Sequence, residues 1–192
     1  PLDDWQGRDA LIHAFNFEFI NDAINGGSQP RITSFFSNSV LAMADGPAEG
    51  KVRALLEPFA DTLLPGALDG YALPVSDGTD AHRKNTRKAL KILADAGWTV
   101  QDGVMKNADG EALEFTILLR SGATQTINIA ELYAEALKRI GVVANLETVD
   151  SAQYKERTQV YDFDMAYYVR GLSLSPGNEQ LLYWGSEGVT KE

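Results

Sequence analysis

Hydrophobic positions along the chain first fall at helical spacing. Ala10, Leu11, Ala14 and Phe15 recur behind Asp3 and Asp4, a pattern that predicts a helix capped by one of these acids. Asn16 can cap a second helix carrying Phe19, Ile20 and Ile24 and stopped by Gly26 and Gly27. From Ser28 to Asp45 no period holds, although Phe35, Phe36 and Val40 are large and apolar, so an ordered, packed loop is expected. Pro47 suits the first turn of a helix through Leu56, after which Pro58 and Pro65 break the chain into irregular structure reaching Gly78.

The second half is more regular. Asp80 to Ala96 reads as a helix with Thr86, Leu90, Leu93 and Ala94 on one side and Gly97 at its stop. Asn107 to Gly110 reads as a turn between a short strand at Val104 and Met105 and a longer one reaching Arg120. A strand from Leu113 to Leu119 leads to a helix from Ile127 to Ile140. A strand from Val142 to Val149, a helix capped by Asp150 or Ser151, and a strand from Phe163 to Val169 follow. Strands alternating with helical crossovers predict an α/β layer with right-handed connections, and leave strand order open. Residues 1–192 are therefore expected to form a single α/β unit with a helical, loop-rich N-terminal third and an irregular segment over about 25–80.

Composition narrows the function classes. The 192 residues are 44% hydrophobic and 23% charged, within the globular range, which excludes a collagen, a disordered tail and a disulfide scaffold. No apolar run reaches the roughly 18 residues that a bilayer-spanning helix needs, so no membrane span is expected. Seventeen Lys and Arg face 27 Asp and Glu, a net charge of −10 that argues against nucleic acid as a partner. With no cysteine, thiol nucleophiles and thiolate metal sites are excluded. The chain opens on Pro1 with no basic-then-apolar leader, which predicts a processed or excised part of something longer.

Candidates for catalysis are few. His13 and His82 are the only histidines. Asp9 and His13 share a helix face, but two ligands do not make a zinc site, so no metal is expected. His82 stands among Arg83, Lys84, Arg87 and Lys88, which predicts a hydrated, charged surface rather than a general base. The same cations, with Lys91, form one helical stripe without interleaved aromatics, the wet side of an amphipathic helix. No nucleophile elbow, metalloprotease, phosphate-loop or dinucleotide fingerprint is present, and Gly26-Gly27-Ser28 reads as a turn. No cofactor is indicated.

Two loops stand apart from plain scaffold. Ser34-Phe35-Phe36-Ser37-Asn38-Ser39 alternates hydrogen-bonding groups with aromatics, a composition suited to a polar ligand with an apolar body, or to anchoring the loop on the core. Tyr167 to Gln180 carries a strand into a Gly/Ser/Pro loop at the expected carboxyl edge of the sheet, where ligands of open α/β sheets settle. Arg170 there can pair with a ligand carboxylate, or with one of the neighbouring acids.

The order of segments resembles the extracellular solute-binding proteins of oligopeptide and dipeptide ABC importers. Asn16-Phe17-Glu18-Phe19-Ile20-Asn21 is similar to that family's "AxDxxxI" region, and Lys88 to Trp98 to its helix ending in "LLxEAGW". Leu113 to Leu119, the LKRIGV stretch from Leu137 to Val142, and Tyr161-Asp162-Phe163-Asp164-Met165 follow in the family's order. The two loops, with Tyr183-Trp184-Gly185-Ser186, look most like the subgroup handling oligopeptides and microcin-C-like conjugates.

The resemblance implies one lobe of a two-lobed periplasmic binding protein-like fold, with the other lobe, the signal peptide and the return crossover outside this sequence. It implies transport without chemistry: binding of a peptide or peptide-like solute in the periplasm, or on the outer face of the cytoplasmic membrane, and delivery to an ABC permease. Ser34, Asn38, Ser173 and Asn178 would supply hydrogen bonds, Phe35 and Phe36 apolar contact, and Arg170 charge. Relatives hold the ligand's α-ammonium with an Asp where this chain offers Ser173 or Ser175. A serine cannot supply that charge, which points to a modified or blocked ligand, with Glu179 as a possible substitute. Arg170 stands near a position where relatives often carry Trp, which implies an anionic group on the ligand. Two rival readings stay open: a carboxylate-based hydrolase, from the abundance of acids, and a protein-interaction domain, from the aromatic loop.

Overall fold

The computed structural model describes Leu2 and residues 4–37, 39–169, 171 and 177–186, leaving aside the side chains of Leu182 and Tyr183. The chain divides into two compact units, Pro1–Arg31 with Leu73–Tyr167, and Ile32–Ala72 with Tyr168–Glu192.

The first unit opens with α1 (Trp5–Ala14) and α2 (Phe17–Asn25). The Asp4 carboxylate accepts from the Gly7 amide at 3.1 Å, and Asn16 Oδ1 from the Phe19 amide at 3.4 Å, so each helix begins on a side chain that satisfies an orphan donor. Asp3, the alternative cap, lies outside the described residues. Gly26 ends α2 in the left-handed conformation, as expected.

Helix α4 (Arg83–Asp95) follows later in the chain. The structure corrects two expectations about it. It buries Asn85, Ala89, Ile92 and Leu93 rather than Thr86 and Ala94, because the Asn85 amide is satisfied at depth by the Val75 carbonyl, 3.1 Å away. His82, just before it, is 2% exposed instead of hydrated. The basic stripe is on the wet side, as its spacing implies.

Strands β1 (Thr99–Gln101) and β2 (Val104–Lys106) form an antiparallel hairpin; β2 covers the short strand expected at Val104 and Met105, whereas β1 was not expected. The hairpin's two-residue loop, Asp102-Gly103, has positive φ at both positions (51° and 81°), the geometry that lets a tight turn follow the twist of its strands.

The layer then follows the expected alternation: β3 (Glu114–Arg120), α5 (Thr124–Lys138), β4 (Val143–Val149), α6 (Ser151–Gln159) and β5 (Met165–Ala166). The sheet runs β4-β3-β5, all parallel, with β3 in the centre. Phe115, Ile117 and Leu119 join α1, α4 and α5 in one core that includes Leu11, Leu93, Tyr133 and Leu137. Leu118, equally buried, points to the opposite face by strand alternation. Pairing of β5 covers two residues, less than the expected Phe163 to Val169. The Asp164 carboxylate takes the Thr116 amide at 2.8 Å before it, and the Tyr154 phenol donates to the Tyr167 carbonyl at 3.0 Å after it.

The second unit is mostly loop. Helix α3 (Gly50–Leu56) starts three residues after Pro47, which therefore precedes the helix instead of sitting in its first turn. A 3₁₀ turn (Glu57–Thr62) takes Pro58 at its start, where a missing amide hydrogen costs nothing. Gly70 lies against Gly46, and a Cβ on it would sit 2.7 Å from the Gly46 carbonyl carbon. Helix α7 (Glu179–Trp184) closes the described chain. Among the described residues no helix is long and apolar enough to cross a membrane.

Candidate functional site

In the second unit, serine hydroxyls shape the Ser34–Ser39 loop. Ser37 Oγ accepts from the amides of Thr33 (3.1 Å) and Ser34 (2.9 Å) and donates to the Ser34 carbonyl (2.9 Å). Ser39 Oγ donates to the Phe36 carbonyl at 2.8 Å, and Ser34 Oγ accepts from the Met43 amide at 3.2 Å. These short-range bonds replace a secondary-structure ladder and fix where the two phenylalanines project.

The rings meet edge to face, with centroids 4.9 Å apart and planes at 76°. Phe35 meets the Trp184 indole in the same way, at 4.9 Å and 80°, and Phe36 lies 6.5 Å from it. The indole N–H is held by Gln180 Oε1 at 3.0 Å. Phe35 remains 43% exposed and Trp184 60%. An aromatic cluster that keeps Phe35 and Trp184 partly in contact with water, beside a braced loop, is suited to receive an apolar or planar part of a ligand.

Of the residues selected from sequence, Ser34, Phe35 and Phe36 are thus brought together, and their loop is joined to α7, which begins directly after Asn178. Asn38, Arg170 and Ser173 lie outside the described residues. Glu179, considered as a substitute for a missing acid, turns back on its own loop: its Oε1 accepts from the Gly177 amide at 2.8 Å. Trp184 was not selected, although it stands within the Tyr183–Ser186 motif. The signal available was an aromatic at the end of a short helix that follows a Gly/Pro loop.

The first unit contains a separate feature at its switch point. The chain leaves β3 towards β4 and later returns on the other side as β5, so the carboxyl ends of β3 and β5 flank the place where crossovers diverge. Beside them a cavity of about 630 Å³ is lined by Ile117 and Leu119 of β3, Met165 and Ala166 of β5, Leu11 and Phe15 of α1, and Ile129 and Tyr133 of α5. Its wall is largely apolar, with Arg8, Arg31 and Asp164 among the polar contributors. Tyr133 donates its hydroxyl to the Leu11 carbonyl at 2.9 Å and stacks edge-on against Phe15 at 5.2 Å. Burial pushes its phenol well above the ordinary range.

Elsewhere, His13 is tied to its own helix, Nδ1 lying 2.9 Å from the Asp9 carbonyl and 3.4 Å from its carboxylate. Among the described residues no group of three or more His, Cys, Asp or Glu is placed to hold a metal ion.

The whole chain, residues 1–192, matches the model of the family described as bacterial extracellular solute-binding proteins, family 5 Middle. Two curated relatives come from Agrobacterium fabrum. The peptidoglycan-binding protein YepA is 38% identical over 184 residues, 95% of this chain and 30% of its own. The probable peptide-binding protein YejA is 35% identical over 187 residues, 96% of this chain and 30% of its own. The chain therefore spans about 30% of the length of these relatives. Among solved structures, the oligopeptide-binding protein AppA from Bacillus subtilis in complex with a nonapeptide shares the fold, with a TM-score of 0.63 at 22% identity over 94% of this chain and 30% of AppA.

Proposed function

The chain belongs to the bacterial extracellular solute-binding proteins of family 5, and from that membership we propose that it forms one lobe of a larger receptor that holds peptides or peptide-like solutes for an ABC importer. Both compact units belong to that lobe. The receptor works in the periplasm or on the outer face of the cytoplasmic membrane and passes its solute to a permease without altering it covalently.

The observation that carries this reading is the aromatic cluster in which the exposed Phe35 and half-buried Phe36, on a loop braced by its own serines, meet the exposed Trp184. A catalytic site would need a base or nucleophile beside such a surface. What the described part of the loop offers is aromatic rings and hydroxyls that are engaged with its own backbone. Ser34, Phe35 and Phe36, together with Asn38, Arg170, Ser173 and Asn178, are the residues assigned to solute contact. Peptide receptors of broad range rely on main-chain hydrogen bonds and roomy apolar pockets, and the exposed Phe35 and Trp184 supply apolar surface for such a site. One relative is named for peptidoglycan and another for peptides; the chemistry common to those names is a peptide chain.

Calorimetry on the full-length receptor, stripped of co-purifying solute by unfolding and refolding, tests the proposal with a panel of oligopeptides and of peptidoglycan-derived peptides. Micromolar or tighter binding of either class is expected, and the class that binds identifies the solute. Turnover of a peptide, or binding of neither class, would overturn the reading. The isolated 192-residue chain carries only part of the contacts and should bind feebly or not detectably.

A further inference from the structure

The return of the chain from the second unit to the first is closed by an unusual plug. Arg31 is the last residue before the chain leaves the first unit, and Leu73 the first after it comes back. Around that crossing, Arg31 donates to the Pro74 carbonyl and pairs with Glu18 at 3.5 Å. Glu18 accepts the Ser76 amide at 2.9 Å, the buried Asn16 amide donates to the Thr79 carbonyl at 2.7 Å, and Asn85 donates to Val75. Arg139, just past α5, holds the Asp80 carboxylate at 2.6 Å. Apart from the Arg31–Glu18 pair, these bonds tie the stretch from Leu73 to Ala81 onto Arg31, onto α2 and its cap, onto α4, or onto the end of α5.

His82 sits where that stretch enters α4. It is 2% exposed, its φ is +22°, and neither ring nitrogen has a hydrogen-bond partner. A buried polar group without partners is costly, and a charged one far more so. The neutral ring is the less costly state in such a place.

We propose that His82 is an acid-sensitive latch: its neutral ring locks the 73–81 stretch onto α4 and α5, and uptake of a proton releases that stretch. The charged groups around the ring are Arg139 beyond α5, Asp77 and Asp80 on the stretch itself, and Glu18 on α2. Burial first, then Arg139, hold its pKa below the ordinary histidine value, against the pull of the three acids. A base depressed in the folded state is protonated more readily when the stretch is open. Opening therefore gains as pH falls through the ordinary histidine range. Between pH 7.5 and 5.5, an open-state histidine of ordinary pKa bounds the gain at about tenfold.

Hydrogen exchange read by mass spectrometry on the full-length protein tests the latch. After correction for intrinsic rates, segments covering 73–86 should exchange several-fold faster at pH 5.5 than at 7.5, while β3 is unchanged. The difference should vanish in His82→Gln. Equal protection at both pH values, or acceleration that persists in His82→Gln, would overturn the proposal. Should that variant fail to fold, the His82 ring carbon resonance of the unmodified protein decides: a midpoint below the ordinary histidine value supports the latch, and one at or above it refutes it.

Discussion

The Phe35 ring and the Trp184 indole meet edge to face, with centroids 4.9 Å apart and planes at 80°, joining a loop near the start of the second unit to the helix at its far end. Such a pair is worth about 0.5–1.5 kcal/mol beyond the area it buries. That is enough to hold a loop without regular structure, and small enough to leave both rings open to a ligand.

The core of the first unit is the part least tolerant of change. Leu137 of α5 is fully buried among Leu11, Leu93, Phe115 and Ile140 of one cluster. Leu137→Ala should lower unfolding stability by about 2–5 kcal/mol in a urea titration, through lost transfer energy and the cavity left behind.

Two glycines separate strain from steric conflict. Gly103 has positive φ with open space around it, so Gly103→Ala should cost about 1 kcal/mol from backbone conformation alone. Gly70 also has positive φ, but an added Cβ meets Gly46 backbone atoms closer than van der Waals contact allows. Gly70→Ala should cost about 3 kcal/mol or more, read as a distinctly larger fall in the unfolding midpoint than Gly103→Ala gives. Equal effects would contradict the close approach.

Tyr133 should ionise only above the ordinary tyrosine range. Burial raises its pKa in the folded state, so its contribution to stability is complete below the ordinary tyrosine pKa and fades as pH rises towards the folded value. Ultraviolet titration should show a phenolate phase displaced above the ordinary tyrosine range and absent from Tyr133→Phe. That variant also removes the phenol's hydrogen bond to the Leu11 carbonyl, which keeps the Phe15 amide as donor at 3.2 Å, at a cost of about 1 kcal/mol near neutral pH.

Periodicity made the α/β layer legible because each of β3, α5 and β4 completes its pattern within its own span. Caps at Asp4, Asn16 and Asp150 were legible for the same reason, as each bonds two or three residues away. Long-range choices were not. The strand order β4-β3-β5 depends on which crossover passes β3, and the length of β5 on Asp164 and Tyr154, neither of which belongs to the strand. Asp102-Gly103 is a hairpin signal, but only the strand after it was legible; the one before it, Thr99–Gln101, is too short for alternation to register. His82 misled because its neighbours in sequence are exposed cations, whereas its neighbours in space are Asp77, Asp80, Glu18 and Arg139. At the candidate site the loop residues were chosen on composition; their meeting with Trp184 is a tertiary contact that no local pattern encodes.

The most direct measurement is calorimetric titration of the full-length receptor with a bound peptide, comparing the unmodified protein with Phe35→Ala and Trp184→Ala. Loss of one exposed stacking ring should weaken binding about tenfold, on the order of 1.4 kcal/mol, with the melting temperature nearly unchanged. Unaltered affinity in both variants, in protein that melts normally, would contradict the assignment of this aromatic cluster to solute binding.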